Sequence, residues 1–219
     1  RLLTEPRPPC PSGDVAAVLY ASAATSWKRG ELEQARRHAH ESIAVFRSLT
    51  EPRRLAMALA AGGLVAVSQH RFEDAVTLHE ESLALFEAAG DRWGTGYARS
   101  NLGDTFDALG QPGLARSHYE AALGAFTLED DAWGTAIVSH TLGNVALKAG
   151  EYETARGRYR SSAALCHLMG NRMEAARALV GHAAASLALG DASSAEQSLK
   201  ESRILWDEFG NDDGVALCL

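Results

Sequence analysis

Two stretches of the chain, ARSNLGDTFDALG at residues 98–110 and VSHTLGNVALKAG at residues 138–150, follow one pattern at an interval of forty residues. Each stretch carries Leu-Gly at the same place and ends in glycine. Sliding the whole sequence against itself by forty residues extends the match to an unbroken alanine series: Ala35, Ala75, Ala115, Ala155 and Ala195. A fixed period of this length indicates a repeat protein, in which one supersecondary unit is stacked several times.

Glycines mark the predicted turns of each repeat. Two series alternate along the chain at a spacing of about twenty residues: Gly30, Gly110, Gly150 and Gly190, and Gly90, Gly170 and Gly210. The first series follows apolar stretches at places where a left-handed residue ends a helix, which glycine does without a steric penalty. The residues after the second series, Asp91, Asn171 and Asn211, are typical caps of a following helix. Each forty-residue repeat is therefore predicted to contain two helices and two turns.

A further glycine series, Gly63, Gly103 and Gly143, falls inside the predicted helices. Glycine costs up to ~1 kcal/mol in a helix interior relative to alanine. We expect this cost to be offset by the close approach of a second helix.

The predicted helix pairs occupy residues 14–49, 52–89, 92–128, 132–169 and 172–209. Residues 1–13 are expected to form a linker or leader, because four prolines lie between positions 6 and 11. Residues 210–219 read as the start of a further, truncated repeat. We therefore expect the chain to be a piece of a longer polypeptide.

Composition excludes several classes of function. The formal net charge is −7, which disfavours a phosphate backbone as the main partner, and we expect no direct contact with nucleic acid. No apolar run approaches the ~18–20 residues that a membrane span needs. Cys10, Cys166 and Cys218 are too scattered for a disulfide framework or a zinc site, which favours a cytoplasmic location.

Sequence signatures of catalysis are missing. The chain has no phosphate-binding glycine loop, no nucleophile elbow and no H-E-x-x-H metal motif. The nearest approach to a metal-ligand cluster is HAHE at residues 38–41. The side chains of His38 and His40 would point ~200° apart around a helix and so could not share one metal ion. We expect no catalytic residue, no cofactor and no bound metal.

The pattern inside the repeats resembles the tetratricopeptide repeat, L-G-x2-Y…A-x3-F. It is carried by Leu102, Gly103, Phe106, Ala115, Tyr119 and Ala122, and again by Leu142, Gly143, Ala155, Tyr159 and Ser162. The leading tryptophan of the family pattern is absent, and the period is forty residues rather than the usual ~34. The resemblance implies an all-α, right-handed superhelical solenoid of antiparallel helix pairs, whose first helices line a concave side.

The resemblance also implies where a partner binds. In this family the first-helix positions beside the core face the concave groove. Carried over by alignment, these candidate residues are Tyr97, Asn101, Asp104, His140, Asn144, Lys148 and Arg177. Asparagine amides can bond a peptide backbone as donor and acceptor, and Arg177 can clamp a carboxylate.

The forty-residue variety resembles the sensor arrays of large bacterial signal-transducing ATPases that regulate transcription. This implies a module that binds a protein or peptide in the groove and communicates with other domains of the same polypeptide. Two alternatives stay open, namely a peptide-pheromone-type receptor and a passive scaffold for the assembly of protein complexes.

Overall fold

The computed structural model describes residues 13–218, which form eleven α-helices and no β-strand. The helices are α1 (Gly13–Lys28), α2 (Leu32–Ser48), α3 (Pro52–Ser68), α4 (Phe72–Ala88), α5 (Arg92–Ala108), α6 (Pro112–Leu128), α7 (Ala132–Lys148), α8 (Tyr152–Leu168), α9 (Arg172–Ala188), α10 (Ala192–Glu208) and α11 (Asp212–Ala216). The all-α class predicted from the period is confirmed. The expected leader at residues 1–13 lies, apart from Gly13, outside the described residues.

Helix ends coincide with the two glycine series. All seven of these glycines have φ between 60° and 78°, the left-handed region that lets the chain leave a helix. His70 and Asp130 make the same turn with φ of 58° and 52° although they carry side chains. The left-handed turn is therefore required by the repeat, and glycine is its least strained occupant.

Helix starts are capped as the sequence predicts. The side chains of Asp91, Asn171 and Asn211 each accept a hydrogen bond from the backbone N–H three residues further on. Asp131 and Asp191 form equivalent caps that the sequence analysis did not identify. Each cap satisfies a backbone donor that has no partner within its own helix.

The described residues form two compact units that divide after Gly110. In the unit that ends at Gly110, α1 packs on α2 and α3 on α4, around a core that includes Ile43, Phe46 and Leu59. In the unit that begins at Gln111, α7 packs on α8 and α9 on α10. We call these unit 1 and unit 2. The alanine series is buried in both, because a methyl group lets paired helices approach closely.

Two of the three in-helix glycines, Gly63 and Gly143, lie against a ring of the second helix, which confirms the close approach expected from the sequence. A Cβ added at Gly63 would lie 2.3 Å from Cε1 of His79, and one added at Gly143 would lie 2.8 Å from Cε1 of Tyr159. These distances are far below van der Waals contact. The absence of a side chain on the first helix therefore makes room for a ring from the second helix of the same pair.

Buried serines add a hydrogen bond to three of the helix pairs. Their hydroxyls donate to first-helix carbonyls over 2.8–2.9 Å: Ser42 to Ala16, Ser82 to Ala56, and Ser202 to Ala176. These contacts were not predicted from the sequence, although the three serines are spaced in multiples of forty residues.

No helix within residues 13–218 has both the length and the apolar character needed to cross a membrane.

Candidate functional site

The predicted groove residues lie on the first helices of the pairs. In unit 1 these helices are α1, α3 and α5, which contact one another in that order, and in unit 2 they include α7 and α9, which also touch. We call the surfaces they form the first-helix faces of unit 1 and unit 2. The predicted residues divide between them: Tyr97, Asn101 and Asp104 lie on α5, His140, Asn144 and Lys148 on α7, and Arg177 on α9.

In unit 2, a buried tyrosine holds the polar groups of the first-helix face. The Tyr159 hydroxyl donates to Oδ1 of Asn144 over 2.7 Å. Nδ2 of Asn144 lies 3.4 Å from Nδ1 of His140, and the His140 and Tyr159 rings meet edge to face with centroids 5.5 Å apart. The contacts that Tyr159 makes with Asn144 and His140 were not predicted from the sequence.

These polar groups are electrically neutral near pH 7. Burial raises the pKa of Tyr159 to about 12. Burial is also the main cause that lowers the pKa of His140, with a further lowering from Arg177 and an opposing effect of Glu174. The face therefore offers a neutral imidazole and a neutral amide.

Arg177 brings a charge to the same face. Its Nη1 lies 2.8 Å from Oε1 of Glu174, and 54% of its side chain is exposed. A guanidinium has five N–H donors, so one bound carboxylate leaves donors for another acceptor. Lys148 is also exposed, at the last residue of α7.

In unit 1 the predicted residues lie beside an aromatic stack. The rings of Trp93 and Tyr97 are parallel within 9°, with centroids 5.5 Å apart. The pKa of the Tyr97 phenol is raised, chiefly by burial and also by the proximity of Tyr20 and Asp104, while the amide of Asn101 opposes this rise. Tyr20 of α1 lies on the same face, close enough to the Tyr97 phenol to affect its pKa.

Asn101 differs from its neighbours because it points into the protein. It is only 5% exposed, and its side-chain amide lies beside the Tyr97 phenol. Asp104, one helical turn further on, is exposed. Tyr97 and Asp104 are therefore the predicted residues of unit 1 that a partner can reach directly.

A cavity of about 340 Å³ lies on the first-helix face of unit 1. It is lined by Ala17, Tyr20, Phe46, Arg53, Arg54, Met57 and Trp93. Trp93 is 36% exposed and forms one wall of this cavity. The sequence does contain a sign of this cavity. Ala17 aligns with Met57 and Tyr97, so the first repeat carries the smallest of the three side chains.

The remaining chemical candidates have structural roles. His79 is fully buried against Gly63, and its burial lowers the pKa of the imidazole to about 4. Cys166 is fully buried in the unit 2 core, and burial raises the pKa of its thiol. No cluster of three or more metal-ligating side chains is found within residues 13–218.

Repeated helix pairs that present rings and polar groups on their first helices define a helical-repeat scaffold for interaction with other molecules. The family model described as "Tetratricopeptide repeat" matches residues 14–88 and 63–128, together more than half of the chain. The chain belongs to the tetratricopeptide repeat family. No curated protein matches it in sequence.

Solved structures share this fold at low sequence identity. BtubC from P. vanneervenii is 18% identical with a TM-score of 0.80, over 90% of this chain and 82% of BtubC. A Rap protein complexed with competence and sporulation factor is 14% identical with a TM-score of 0.77, over 94% of this chain and 58% of the Rap chain. A signal transduction ATPase with a tetratricopeptide repeat sensor, from Pyrococcus horikoshii, is 17% identical with a TM-score of 0.76, over 86% of this chain and 30% of the ATPase.

Proposed function

We propose that this chain is a protein- or peptide-binding module that serves as the sensor or interaction region of a larger bacterial regulatory protein, with its partner held on the first-helix faces. The observation that carries the proposal is the group formed by His140, Asn144 and Arg177. Tyr159 orients the asparagine before any ligand arrives. Such preorganisation reduces the entropic cost of binding.

The chemistry of this group suits a peptide. The amide of Asn144 and the imidazole of His140 are groups that bond backbone carbonyls and N–H groups, and both are partly buried. Arg177 adds a cation beside them, which suits a carboxylate through paired N–H···O bonds. A peptide with an acidic residue or a free carboxyl terminus would use both features at once.

The similar structures support a signalling role for the module. One is a signal transduction ATPase in which the tetratricopeptide repeats are a sensor. We propose the same relationship here, in which occupancy of the array biases the state of attached domains and so regulates transcription. The free energy available for this regulation equals the difference in the ligand's binding free energy between the two conformational states of the protein.

A peptide-pheromone-type receptor is the second candidate, because a Rap protein of similar fold is complexed with competence and sporulation factor. A receptor of this kind should become more compact when its peptide binds. Small-angle scattering with and without peptide distinguishes it from a passive scaffold, whose radius of gyration should stay constant.

The binding proposal is tested by selecting ligands from a random peptide display library on the whole chain. The affinity of each selected peptide is then measured by fluorescence anisotropy for the wild type, Arg177→Ala and Lys148→Ala. We expect Arg177→Ala to weaken binding about tenfold, as the loss of a charge-assisted contact does.

Arg203→Ala is the matched control, because Arg203 is an exposed arginine on α10, outside the first-helix faces. Its affinity should equal that of the wild type. Equal affinity for all three variants would exclude the face of unit 2 as the site, and a library that yields no ligand would overturn the proposal as a whole.

A further inference from the structure

We propose that the cavity on the first-helix face of unit 1 binds an aromatic or large aliphatic side chain of a partner peptide, together with a carboxylate next to it. The inference rests on the proposed function and deepens it, because it names the chemistry of the peptide and the place where it is anchored.

The walls of the cavity are apolar and come from four helices. Ala17 and Tyr20 belong to α1, Phe46 to the end of α2, Met57 to α3 and Trp93 to α5. The volume of about 340 Å³ lies at the lower end of the range for small-ligand sites, which suits a large side chain better than a nucleotide or another large cofactor. An apolar anchor inserted into a preformed pocket is the usual centre of a peptide interface.

The cavity arises from a difference between repeats. Ala17, Met57 and Tyr97 occupy equivalent positions of successive first helices. The methyl group of Ala17 leaves open the volume that a longer side chain occupies in the next two repeats. A difference of this kind between repeats gives a repeat array a specific anchoring position.

The polar edge of the cavity favours a carboxylate. Its lining includes two cations, Arg53 and Arg54, and no acidic residue among the described ones. Each arginine already holds one carboxylate at a single nitrogen, Nε of Arg53 with Asp91 over 2.7 Å and Nη1 of Arg54 with Glu51 over 3.0 Å. The five donors of a guanidinium leave nitrogens for a second carboxylate.

Exposure and the nearby helix end point to the same ligand. The Arg53 and Arg54 side chains are 69% and 55% exposed, so a ligand can reach them. Both lie in the first turn of α3, where the helix dipole adds a partial positive charge. Because Asp91 and Glu51 already balance the charges of the two arginines, this partial charge is the net local attraction for an acidic ligand.

The surroundings favour a peptide over a free small acid. Trp93 forms one wall and also stacks on Tyr97, which is not part of the lining. A chain anchored in the cavity can therefore continue over a second aromatic ring, whereas a small acid would leave that ring uncovered.

The test uses a fluorescein-labelled peptide, Gly-Ser-Gly-Asp-Phe-Asp-Gly-Ser-Gly, with anisotropy as the readout on the whole chain. Two matched peptides replace the phenylalanine by alanine or both aspartates by lysine. We expect each replacement to weaken binding about tenfold or more, because each removes one of the two recognised groups.

Protein variants locate the site. Ala17→Met fills the cavity with the residue that the next repeat carries at the same position, and Arg54→Ala removes one cation. Both should weaken binding about tenfold, while Arg47→Ala, an ion-paired arginine outside the lining, should stay within about twofold of the wild type.

Other occupants would give different results, and each overturns the inference. Phenylacetate that competes with the peptide at equal affinity would assign the cavity to small acids. Self-association that Ala17→Met abolishes would assign it to a second copy of the chain. A Leu2→Ser/Leu3→Ser variant that binds the probe about tenfold more tightly would assign it to the chain's own first residues.

The inference and the proposed function can fail separately. If library-selected peptides bind the chain while Ala17→Met holds them as tightly as the wild type, the cavity is not the anchor and the proposed function stands. If neither the probe nor any library peptide binds, both are wrong.

Discussion

The hydroxyl of Tyr159 on α8 donates a hydrogen bond to Oδ1 of Asn144 on α7 over 2.7 Å. The ring of the same tyrosine faces two glycines, Gly143 of α7 and Gly181 of α9, where an added Cβ would lie 2.8 Å and 2.4 Å from a ring carbon. One buried side chain therefore fixes the spacing of three helices and also the orientation of a candidate binding residue.

A leucine at position 143 should destabilise unit 2. Gly143→Leu forces the Tyr159 ring out of its position, and we expect a loss of about 1–3 kcal/mol in the free energy of unfolding, as overpacking of a core does. Urea denaturation followed by circular dichroism measures it. Gly157→Leu is the control, because a Cβ at Gly157 meets nothing within 4 Å. Equal stability of the two variants would contradict the packing described here.

Removal of the Tyr159 hydroxyl should cost the hydrogen bond alone. We expect Tyr159→Phe to lower the free energy of unfolding by about 0.5–1.5 kcal/mol and to leave the helix content unchanged. The substitution should also weaken the binding of peptides that contact Asn144, because the Asn144 amide is no longer held in place. Tyr152→Phe, at an exposed position on the same helix, should change neither quantity. If the Tyr159→Phe protein is as stable as the wild type, the hydrogen bond makes no net contribution to the free energy of unfolding.

Acid should destabilise the protein through His79. Burial lowers the pKa of this imidazole from its usual 6.5 to about 4. Between these values the unfolded chain binds a proton that the folded chain does not, so the free energy of unfolding falls as pH falls. The full contribution is present above pH 6.5, and about 3 kcal/mol is lost on reaching pH 4. Urea denaturation at a series of pH values measures this slope.

His79→Phe should remove most of the slope, because phenylalanine does not titrate. The fold should accommodate this ring, since tyrosine rings occupy the equivalent positions 119 and 159. A smaller slope should remain from His140 and His182, whose pKa values are also lowered, chiefly by burial. His167→Gln, at an exposed position, serves as the control. If His79→Phe keeps the slope of the wild type, the imidazole does not remain neutral in the fold.

Glycine should stabilise the two turns that lack it. His70 and Asp130 have φ of 58° and 52°, a conformation that costs a residue with a Cβ about 1–2 kcal/mol. We expect His70→Gly and Asp130→Gly each to raise the melting temperature. Gly110→Ala, at a position with φ of 71°, should lower it. A lower melting temperature for both glycine variants would mean that His70 and Asp130 make compensating contacts.

The repeat pattern predicted the helices well because the signals that set them are local. A glycine that ends a helix and an aspartate or asparagine that caps the next one act within a few residues, so Gly90 and Asp91 can be recognised in the sequence. The close approach at Gly63 and Gly143 was also predictable, because a glycine inside a helix needs a compensating neighbour. The family and the all-α class follow from the same pattern.

The candidate site was predictable only in part. Alignment placed Asn101 and Asn144 on first helices but could not distinguish their orientations, and the structure buries the Asn101 side chain while Asn144 is held by Tyr159. The use of the face by a partner stays a prediction for all seven residues. The hydrogen bond from α8 was not predictable, because nothing in the period states which side chains meet across a helix pair.

By itself, the amino-acid sequence determined the number of helices per repeat, their ends and the small residues at their contacts, since these depend on backbone conformation and on spacing along one helix. Only the tertiary structure decided which polar groups are exposed and that Ala17, Met57 and Trp93 enclose a cavity. Such a space depends on the packing of helices that lie far apart in the chain, and the volume left between side chains is a property of that packing.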